Sequence, residues 1–144
     1  MLLRIDHVGV ACVSLEPAIE RYTSVFGLAL VSRETNEEQG VREAMLATGD
    51  VSSYVQLLEP LAPDTPVGKF LARRGEGIHH VGYAVADVMA ALETIGGRGV
   101  RLIDQRPRHG SMGASIAFLH PADLGGVLTE LVQPRAARET LCPG

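Results

Sequence analysis

One pattern of apolar and polar positions occurs twice along the chain. The segment IDHVGVA, from Ile5 to Ala11, returns 73 positions later as IHHVGYA, from Ile78 to Ala84. Each segment is short, apolar and rich in β-branched residues, which favours a buried strand. Similarity at a fixed offset is typical of a duplicated structural unit. The chain is therefore predicted to contain two copies of one module.

A helix is predicted to follow the first strand of each copy. Ser14 in the first copy and Asp87 in the second are suitable N-caps, because their side-chain oxygens accept a hydrogen bond from an amide of the first turn. Apolar residues at helical spacing follow both caps: Ile19, Tyr22 and Phe26 in the first copy, and Val88, Leu92 and Ile95 in the second. Both helices are therefore predicted to be amphipathic.

The repeat continues beyond the helices. Glu43–Leu46 aligns with Ile116–Leu119 at the same offset, and Gln56–Pro60 aligns with Glu130–Pro134 at an offset of 74. Each copy then reads as one strand, one helix and three further strands. The predicted fold is α+β, with two tandem βαβββ modules, residues 3–60 and 78–134, in a single domain, 1–144. The linker, residues 61–77, is predicted to hold a short helix, Val67–Arg74.

Composition narrows the class of protein. Hydrophobic residues make up 46% of the chain and charged residues 21%, which are ordinary globular values. The net charge of −4 argues against binding of nucleic acid. The absence of long apolar runs and of a signal-peptide pattern argues against membrane insertion and export. Cys12 and Cys142 stand in unrelated contexts, so no disulfide is expected and a cytoplasmic location is predicted.

The repeat also predicts a metal site. His7 and His80 occupy equivalent positions in the first strands, and Gln56 and Glu130 are equivalent in the last strands. A pseudo-two-fold relation would bring these four side chains toward one axis. Two imidazoles, a carboxylate and an amide oxygen suit Co²⁺, Mn²⁺, Ni²⁺, Zn²⁺ or Fe²⁺. A single strand histidine is more often structural, but the paired polar positions favour a metal, with a hydrogen-bond network as the alternative.

Glu43 marks the sharpest difference between the copies, because its repeat mate is Ile116. A carboxylate at an inward position of this strand would be a candidate general base. The alternative interpretation places Glu43 on an exposed pleat and directs Arg42 inward. Of the other histidines, His79 is predicted to be structural or to support a metal ligand, and His109 to lie in a solvated loop.

The duplicated βαβββ pattern with IDHVGV and IHHVG resembles the vicinal oxygen chelate superfamily. More narrowly, TPVGKFLARRGEGIHHV, RLIDQRPRHGSMG and FLHPADLGGVLTEL resemble the methylmalonyl-CoA epimerases, and the similarity extends from Leu3 to about Gln133. The resemblance implies that the modules form a partly closed, metal-lined β-barrel. It implies a metal bound by four residues and two acid/base carboxylates; the ligands are His7, Gln56, His80 and Glu130, and the acid/base residues are Glu43 and Glu130.

The implied activity is interconversion of (2R)- and (2S)-methylmalonyl-CoA by removal and return of the C2 proton. A carboxylate base is too weak for this step unless a divalent ion, with Co²⁺ as the first choice and Mn²⁺, Ni²⁺ or Zn²⁺ as alternatives, stabilises the enolate as a Lewis acid. The resemblance also implies a homodimer. Five basic residues are candidates to contact the phosphates of CoA: Lys69, Arg73, Arg74, Arg106 and Arg108.

Three other functions are weighed against this one. A glyoxalase I-type lactoylglutathione lyase typically has a glutamate where this chain has Gln56. An extradiol dioxygenase would bind Fe²⁺ through three ligands, so a fourth ligand disfavours it. A metal-free drug-resistance protein that binds small molecules would have an aromatic-lined groove, whereas only 4% of these residues are aromatic.

Overall fold

A computed structural model describes residues 1–49 and 52–136. The first repeat comprises β1 (Arg4–Ala11), α1 (Leu15–Phe26), β2 (Ala29–Asn36), β3 (Val41–Ala47) and β4 (Tyr54–Pro60). The second comprises β5 (Gly77–Ala84), α3 (Val88–Gly97), β6 (Arg108–His109), β7 (Ser115–Leu119) and β8 (Thr129–Gln133). The connecting helix α2 spans Pro66–Arg74. The predicted α+β fold with two βαβββ repeats is confirmed.

The chain divides into two compact units that differ from the repeats. One, which we call the continuous unit, is Val8–His79. The other, the split unit, combines Met1–His7 with the chain from His80 onward. Each unit therefore takes residues from both repeats, because the boundaries cut through β1 and β5.

Strands β2, β3 and β4 of the continuous unit pair antiparallel. Its strand order is β2-β3-β4, followed by the second half of β1. Helix α1 covers this sheet with Leu15 and Ile19, which pack against Leu46 and Leu57. Phe26, predicted to lie on the buried stripe, is instead 66% exposed. It stands in the last turn, directly before the left-handed Gly27 that ends the helix at φ 70°.

In the split unit, the first half of β1 is followed by β5, β8, β7 and β6. Strands β5 and β8 run parallel and place Gly82 opposite Glu130. Strands β7 and β8 are antiparallel. Helix α3 covers this sheet: its buried Val88 and Leu92 belong to the same apolar cluster as Leu131.

The two equivalent helix starts differ in their capping bonds. The Asp87 carboxylate accepts a hydrogen bond of 3.1 Å from the Ala90 amide. Ser14 occupies the predicted N-cap position, but its side chain makes no capping hydrogen bond. Both residues were correctly predicted as helix starts, while only Asp87 caps its helix with its side chain.

Among residues 1–49 and 52–136, no helix is both long enough and apolar enough to cross a membrane. Cys12 carries a buried free thiol at the end of β1. Burial is the main reason why the pKa of this thiol is raised from 9.0 to about 11. Cys142, the other cysteine of the sequence, lies outside the described residues.

Candidate functional site

Three of the four predicted metal ligands meet in the split unit. His7 on β1, His80 on β5 and Glu130 on β8 are each at most 4% exposed. His7 Nε2 lies 3.0 Å from His80 Nε2 and 3.3 Å from Glu130 Oε1. His80 Nε2 lies 3.5 Å from Glu130 Oε2. Two ring nitrogens and a carboxylate therefore lie within 3.5 Å of one another among buried residues.

These spacings fit a divalent metal ion. Ligand atoms about 2.1 Å from one ion lie about 3.0 Å apart at right angles and about 3.4 Å apart at tetrahedral angles. The three distances in the site, 3.0, 3.3 and 3.5 Å, lie within about 0.1 Å of this range. Imidazole nitrogens and carboxylate oxygens are also the donors that Co²⁺, Ni²⁺, Mn²⁺ and Zn²⁺ accept in proteins. The three residues thus form a set of ligands suited to such an ion.

Strand geometry explains how the sequence brings these residues together. Side chains alternate between the two faces of a strand, so His80 and Gly82 lie on the same face of β5. The parallel register places Glu130 of β8 opposite Gly82. Strand β1 lies on the other side of β5 and contributes His7. One ligand therefore comes from each of three neighbouring strands.

The buried Asp6 carboxylate holds the His7 ring. Asp6 Oδ2 lies 2.8 Å from His7 Nδ1, and the Asp6 residue is fully buried. When this carboxylate is ionised it only accepts hydrogen bonds, and the ring nitrogen Nδ1 is then the donor. This assignment leaves the lone pair of His7 on Nε2, the atom that faces His80 and Glu130. Carboxylates commonly orient metal-binding histidines in this way.

Gln56 and Glu43 meet in the continuous unit. They lie on neighbouring strands, where Met45 pairs with Gln56 and Glu43 pairs with Leu58. Gln56 Nε2 donates a hydrogen bond of 3.0 Å to Glu43 Oε2. Both side chains are buried, Glu43 to 2% exposure and Gln56 to 5%. A buried carboxylate is thus held beside a buried amide.

The two interpretations of the Glu43 strand are now distinguished. Glu43 is buried, whereas Arg42 is exposed and forms an ion pair of 3.1 Å with Glu59 on β4. The first interpretation, with Glu43 directed away from solvent, is therefore confirmed. Because its repeat mate Ile116 is also buried, the copies keep the same inward position and differ in the chemistry placed there.

The histidines assigned to lesser roles have distinct surroundings. His79 packs edge-to-face against Phe70, with ring centroids 5.0 Å apart. Burial lowers the pKa of His79 from 6.5 to about 4, so its ring is neutral at pH 7. His109 is exposed, as predicted, but it pairs with Ser115 in the short strand β6 and does not lie in a loop.

The five basic candidates lie in two regions. Lys69, Arg73 and Arg74 are exposed on α2, where the Arg74 guanidinium lies 5.7 Å from the centroid of the Phe70 ring. The other two precede β7. Arg106 is exposed. Arg108 is partly buried, lies 3.3 Å from Asp104 Oδ2 and stacks 5.6 Å from the centroid of Phe118, a ring that also packs against His80.

Two residues beside the predicted metal ligands, Asp6 and Gly82, were missed by the sequence-based prediction. A Cβ atom added at Gly82 would lie 2.4 Å from Cε1 of His7, closer than real side chains approach. The signals for both were present. Asp6 is an acidic residue inside an apolar strand next to a predicted ligand, and Gly82 is a glycine in a strand interior, which often marks a close approach.

Comparison with known proteins gives a consistent result. Residues 6–118 match the model of the Glyoxalase/Bleomycin resistance protein/Dioxygenase superfamily. A structure of a variant methylmalonyl-CoA epimerase from Streptomyces coelicolor, in complex with 2-nitronate-propionyl-CoA, is 51% identical in sequence. It superimposes with a TM-score of 0.92 over 94% of this chain and 100% of that one.

Two curated relatives agree with this match. The ethylmalonyl-CoA/methylmalonyl-CoA epimerase of Cereibacter sphaeroides is 32% identical over 92% of this chain and 99% of its own length. The mitochondrial methylmalonyl-CoA epimerase of Dictyostelium discoideum is 35% identical over 89% of this chain and 76% of its own length. The similarity thus covers nearly all of the chain.

Proposed function

The chain belongs to the Glyoxalase/Bleomycin resistance protein/Dioxygenase superfamily, and from this premise we propose that it is a metal-dependent epimerase of methylmalonyl-CoA. The buried convergence of His7, His80 and Glu130 is the observation that carries the proposal. The names of its relatives identify the substrate class. The reaction moves one proton at C2, so the chain has to provide a base, an acid and a means to stabilise negative charge.

His7, His80 and Glu130 would hold the ion, with Gln56 as the fourth ligand. Repeat equivalence supports Gln56, because it aligns with Glu130 and is likewise buried. Its NH₂ end donates to Glu43, so a metal would use the other end of the amide, Oε1. When bound, a divalent ion, Co²⁺ in the first place and Mn²⁺, Ni²⁺ or Zn²⁺ otherwise, supplies Lewis-acid stabilisation of the charge that proton removal leaves on the substrate.

Glu43 and Glu130 would act as the two acid/base groups. Neither is more than 4% exposed, so little water competes for the transferred proton. Gln56 fixes the Glu43 carboxylate through its hydrogen bond and so orients the base. One carboxylate would remove the C2 proton from one face of the substrate, and the other would return a proton to the opposite face. Inversion then requires no redox step.

The CoA moiety would be held by basic side chains. Lys69 and Arg73 lie four positions apart on α2, on one side of the helix, and both are exposed to an incoming phosphate. Arg74 and Arg106 are also exposed. Arg108 is the weakest candidate, because its guanidinium already contacts Asp104. Charge-assisted bonds to phosphate would raise substrate affinity without a part in the proton transfer.

We further propose a cytoplasmic homodimer. Leu3 and Ile5, two positions apart near the start of β1, are both more than half exposed, and apolar surface of this kind is typical of subunit contacts. One chain has a mass of 15.3 kDa, and analytical ultracentrifugation at micromolar concentration should give twice that value. A mass of one chain would contradict the dimer without affecting the proposed reaction.

Proton exchange is the direct test of the function. Metal-loaded protein in D₂O should replace the C2 hydrogen of methylmalonyl-CoA with deuterium and interconvert the two epimers, as followed by NMR and chiral analysis. The protein stripped of metal with a chelator should lose this activity and regain it with Co²⁺. Turnover of a glutathione hemithioacetal in place of exchange would reassign the chain to the glyoxalase I reaction.

A further inference from the structure

We propose that Gly82 and Asp6 are positioning residues that together place His7 Nε2 at the metal site. Gly82 provides the space that the His7 ring occupies, and Asp6 fixes which ring nitrogen faces the ion. The inference rests on the proposed metal site, although its central measurements need no metal. Neither residue is itself a predicted ligand or acid/base group.

The strand order creates the need for Gly82. Strands β1, β5 and β8 are neighbours in that order, and adjacent strands lie about 4.8 Å apart. The backbones that carry His7 and Glu130 are therefore about 10 Å apart, with β5 between them. The His7 ring has to extend across β5 to bring Nε2 within 3.3 Å of Glu130.

The ring crosses β5 at Gly82, the residue opposite Glu130. A Cβ atom at position 82 would lie 2.4 Å from Cε1, 2.7 Å from Nδ1 and 2.9 Å from Nε2 of His7. These three atoms form one side of the imidazole, so no small rotation would relieve the overlap. Any larger residue at position 82 would displace the ring and separate Nε2 from its two partners.

Asp6 fixes the ring through its nitrogen Nδ1. Its carboxylate lies 2.8 Å from Nδ1, and Arg4 Nη2 lies 3.8 Å from its other oxygen. With the proton held on Nδ1, the lone pair of Nε2 is available as a metal ligand. The repeat mate of Asp6 is His79, so the duplicated strand β5 offers no carboxylate at the equivalent position. The carboxylate that contacts His7 therefore has no counterpart next to His80 in the repeat.

A double-mutant cycle tests the role of Gly82 in the metal-free protein. Gly82→Ala should lower the Tm of the wild-type protein, because the added methyl group overlaps the His7 ring. In a His7→Ala background the ring is gone, so the same substitution should leave the Tm unchanged or raise it. An equal loss of Tm in both backgrounds would mean that Gly82 is needed only for the strand β5 itself and not for the His7 ring. This result would overturn the proposal.

Metal affinity provides the second measurement. Gly82→Ala should weaken Co²⁺ binding at least about tenfold in competition with a chromogenic chelator, the scale seen when residues that orient metal ligands are changed. Gly97→Ala is the matched control, because a Cβ atom there meets nothing within 4 Å, and its affinity should equal that of the wild type. Unchanged affinity in the Gly82 variant would overturn its positioning role.

Asp6 is tested by the tautomer of His7. In metal-free protein with ¹⁵N-labelled histidine, NMR should show His7 protonated on Nδ1, and Asp6→Ala should shift the proton population toward Nε2. Asp6→Asn keeps an acceptor oxygen and should retain the wild-type tautomer in part. A wild-type tautomer in the alanine variant would overturn the role of Asp6. Wild-type protein that binds no Co²⁺ would refute the proposed metal site. The NMR measurement of the His7 tautomer and the double-mutant cycle test the positioning roles of Asp6 and Gly82 independently of metal binding.

Discussion

Replacement of Glu43 by glutamine separates its proposed acid/base role from its structural one. Glutamine has nearly the same shape, and its carbonyl oxygen is able to accept the hydrogen bond that Gln56 now donates at 3.0 Å. The variant should therefore fold with its strand pairing intact. It should lose the ability to take up a proton at position 43.

The expected magnitudes differ for activity and stability. Loss of a general base costs about 10²- to 10⁴-fold in rate, which corresponds to about 3–5 kcal/mol in the barrier. A hydrogen bond to a charged acceptor contributes about 1.5–3 kcal/mol and a neutral one about 1 kcal/mol. Removal of a buried charge offsets this difference. The free energy of unfolding should therefore change by no more than about 1 kcal/mol.

The assay compares epimerisation with exchange for each epimer separately. If Glu43 and Glu130 serve opposite faces of the substrate, the Glu43→Gln variant should lose epimerisation of both epimers. It should retain slow exchange of the C2 hydrogen in only one of them, through Glu130 and without inversion. Deuterium content by mass spectrometry and configuration by chiral analysis report these two outcomes independently.

The matched control is Glu59→Gln. Glu59 lies on the neighbouring strand opposite Arg42 and forms an ion pair with that exposed side chain. Its substitution therefore also removes a carboxylate from this sheet, but not the one at position 43. Full activity is expected of this control. Epimerisation at the wild-type rate in the Glu43 variant, with a wild-type Tm, would refute the assignment of Glu43 as a base.

Three further predictions follow from local geometry. In urea titrations, Asp87→Ala should lower the unfolding free energy by about 1 kcal/mol, because the capping hydrogen bond of 3.1 Å is lost. Ser14→Ala loses no such bond and should change the unfolding free energy very little. The pKa of His79 is about 4 in the folded protein against 6.5 for the free side chain, so only the unfolded state gains a proton at this residue between these pH values. Metal-free protein should therefore lose about 3 kcal/mol of unfolding free energy as the pH falls from 6.5 to 4. The His79→Gln variant should show a flatter dependence of stability on pH in this interval. Cys12, with its pKa of about 11, should react with a disulfide reagent at pH 8 about 100-fold more slowly than an exposed thiol, and a Cys142→Ser protein that reacted rapidly would contradict its burial.

The sequence predicted those features that repeat within it. Alignment of the two copies placed both helices and the paired histidines correctly, because duplication preserves the pattern of inward and outward residues. The burial of Glu43 was left open by the sequence, which also allowed Arg42 to point inward, and only the structure decided it. The sequence pattern overestimated the apolar stripe of α1: Phe26 satisfies helical spacing, yet its position in the last turn leaves it exposed. Helical spacing alone does not show whether the neighbouring elements reach the last turn of the helix and cover it.

Other features depend on contacts between strands that one copy does not reveal. The crossing of His7 over Gly82 follows from the order β1-β5-β8 and from the parallel register of β5 with β8. Neither could be obtained from apolar periodicity. The Asp6 contact was hidden for a related reason, since the repeat mate of Asp6 is His79, and the alignment therefore gave no paired signal.

The order of the strands also determines when the proposed metal site is completed during biosynthesis. Its three predicted ligands come from β1, the first strand of the described chain, from β5, and from β8, the last strand of the described chain. Until β8 is synthesised, His7 and His80 lack the carboxylate partner, and a truncated chain that ends before Glu130 retains two of the three converging groups. Capture of the proposed ion is therefore expected only after β8 has been synthesised.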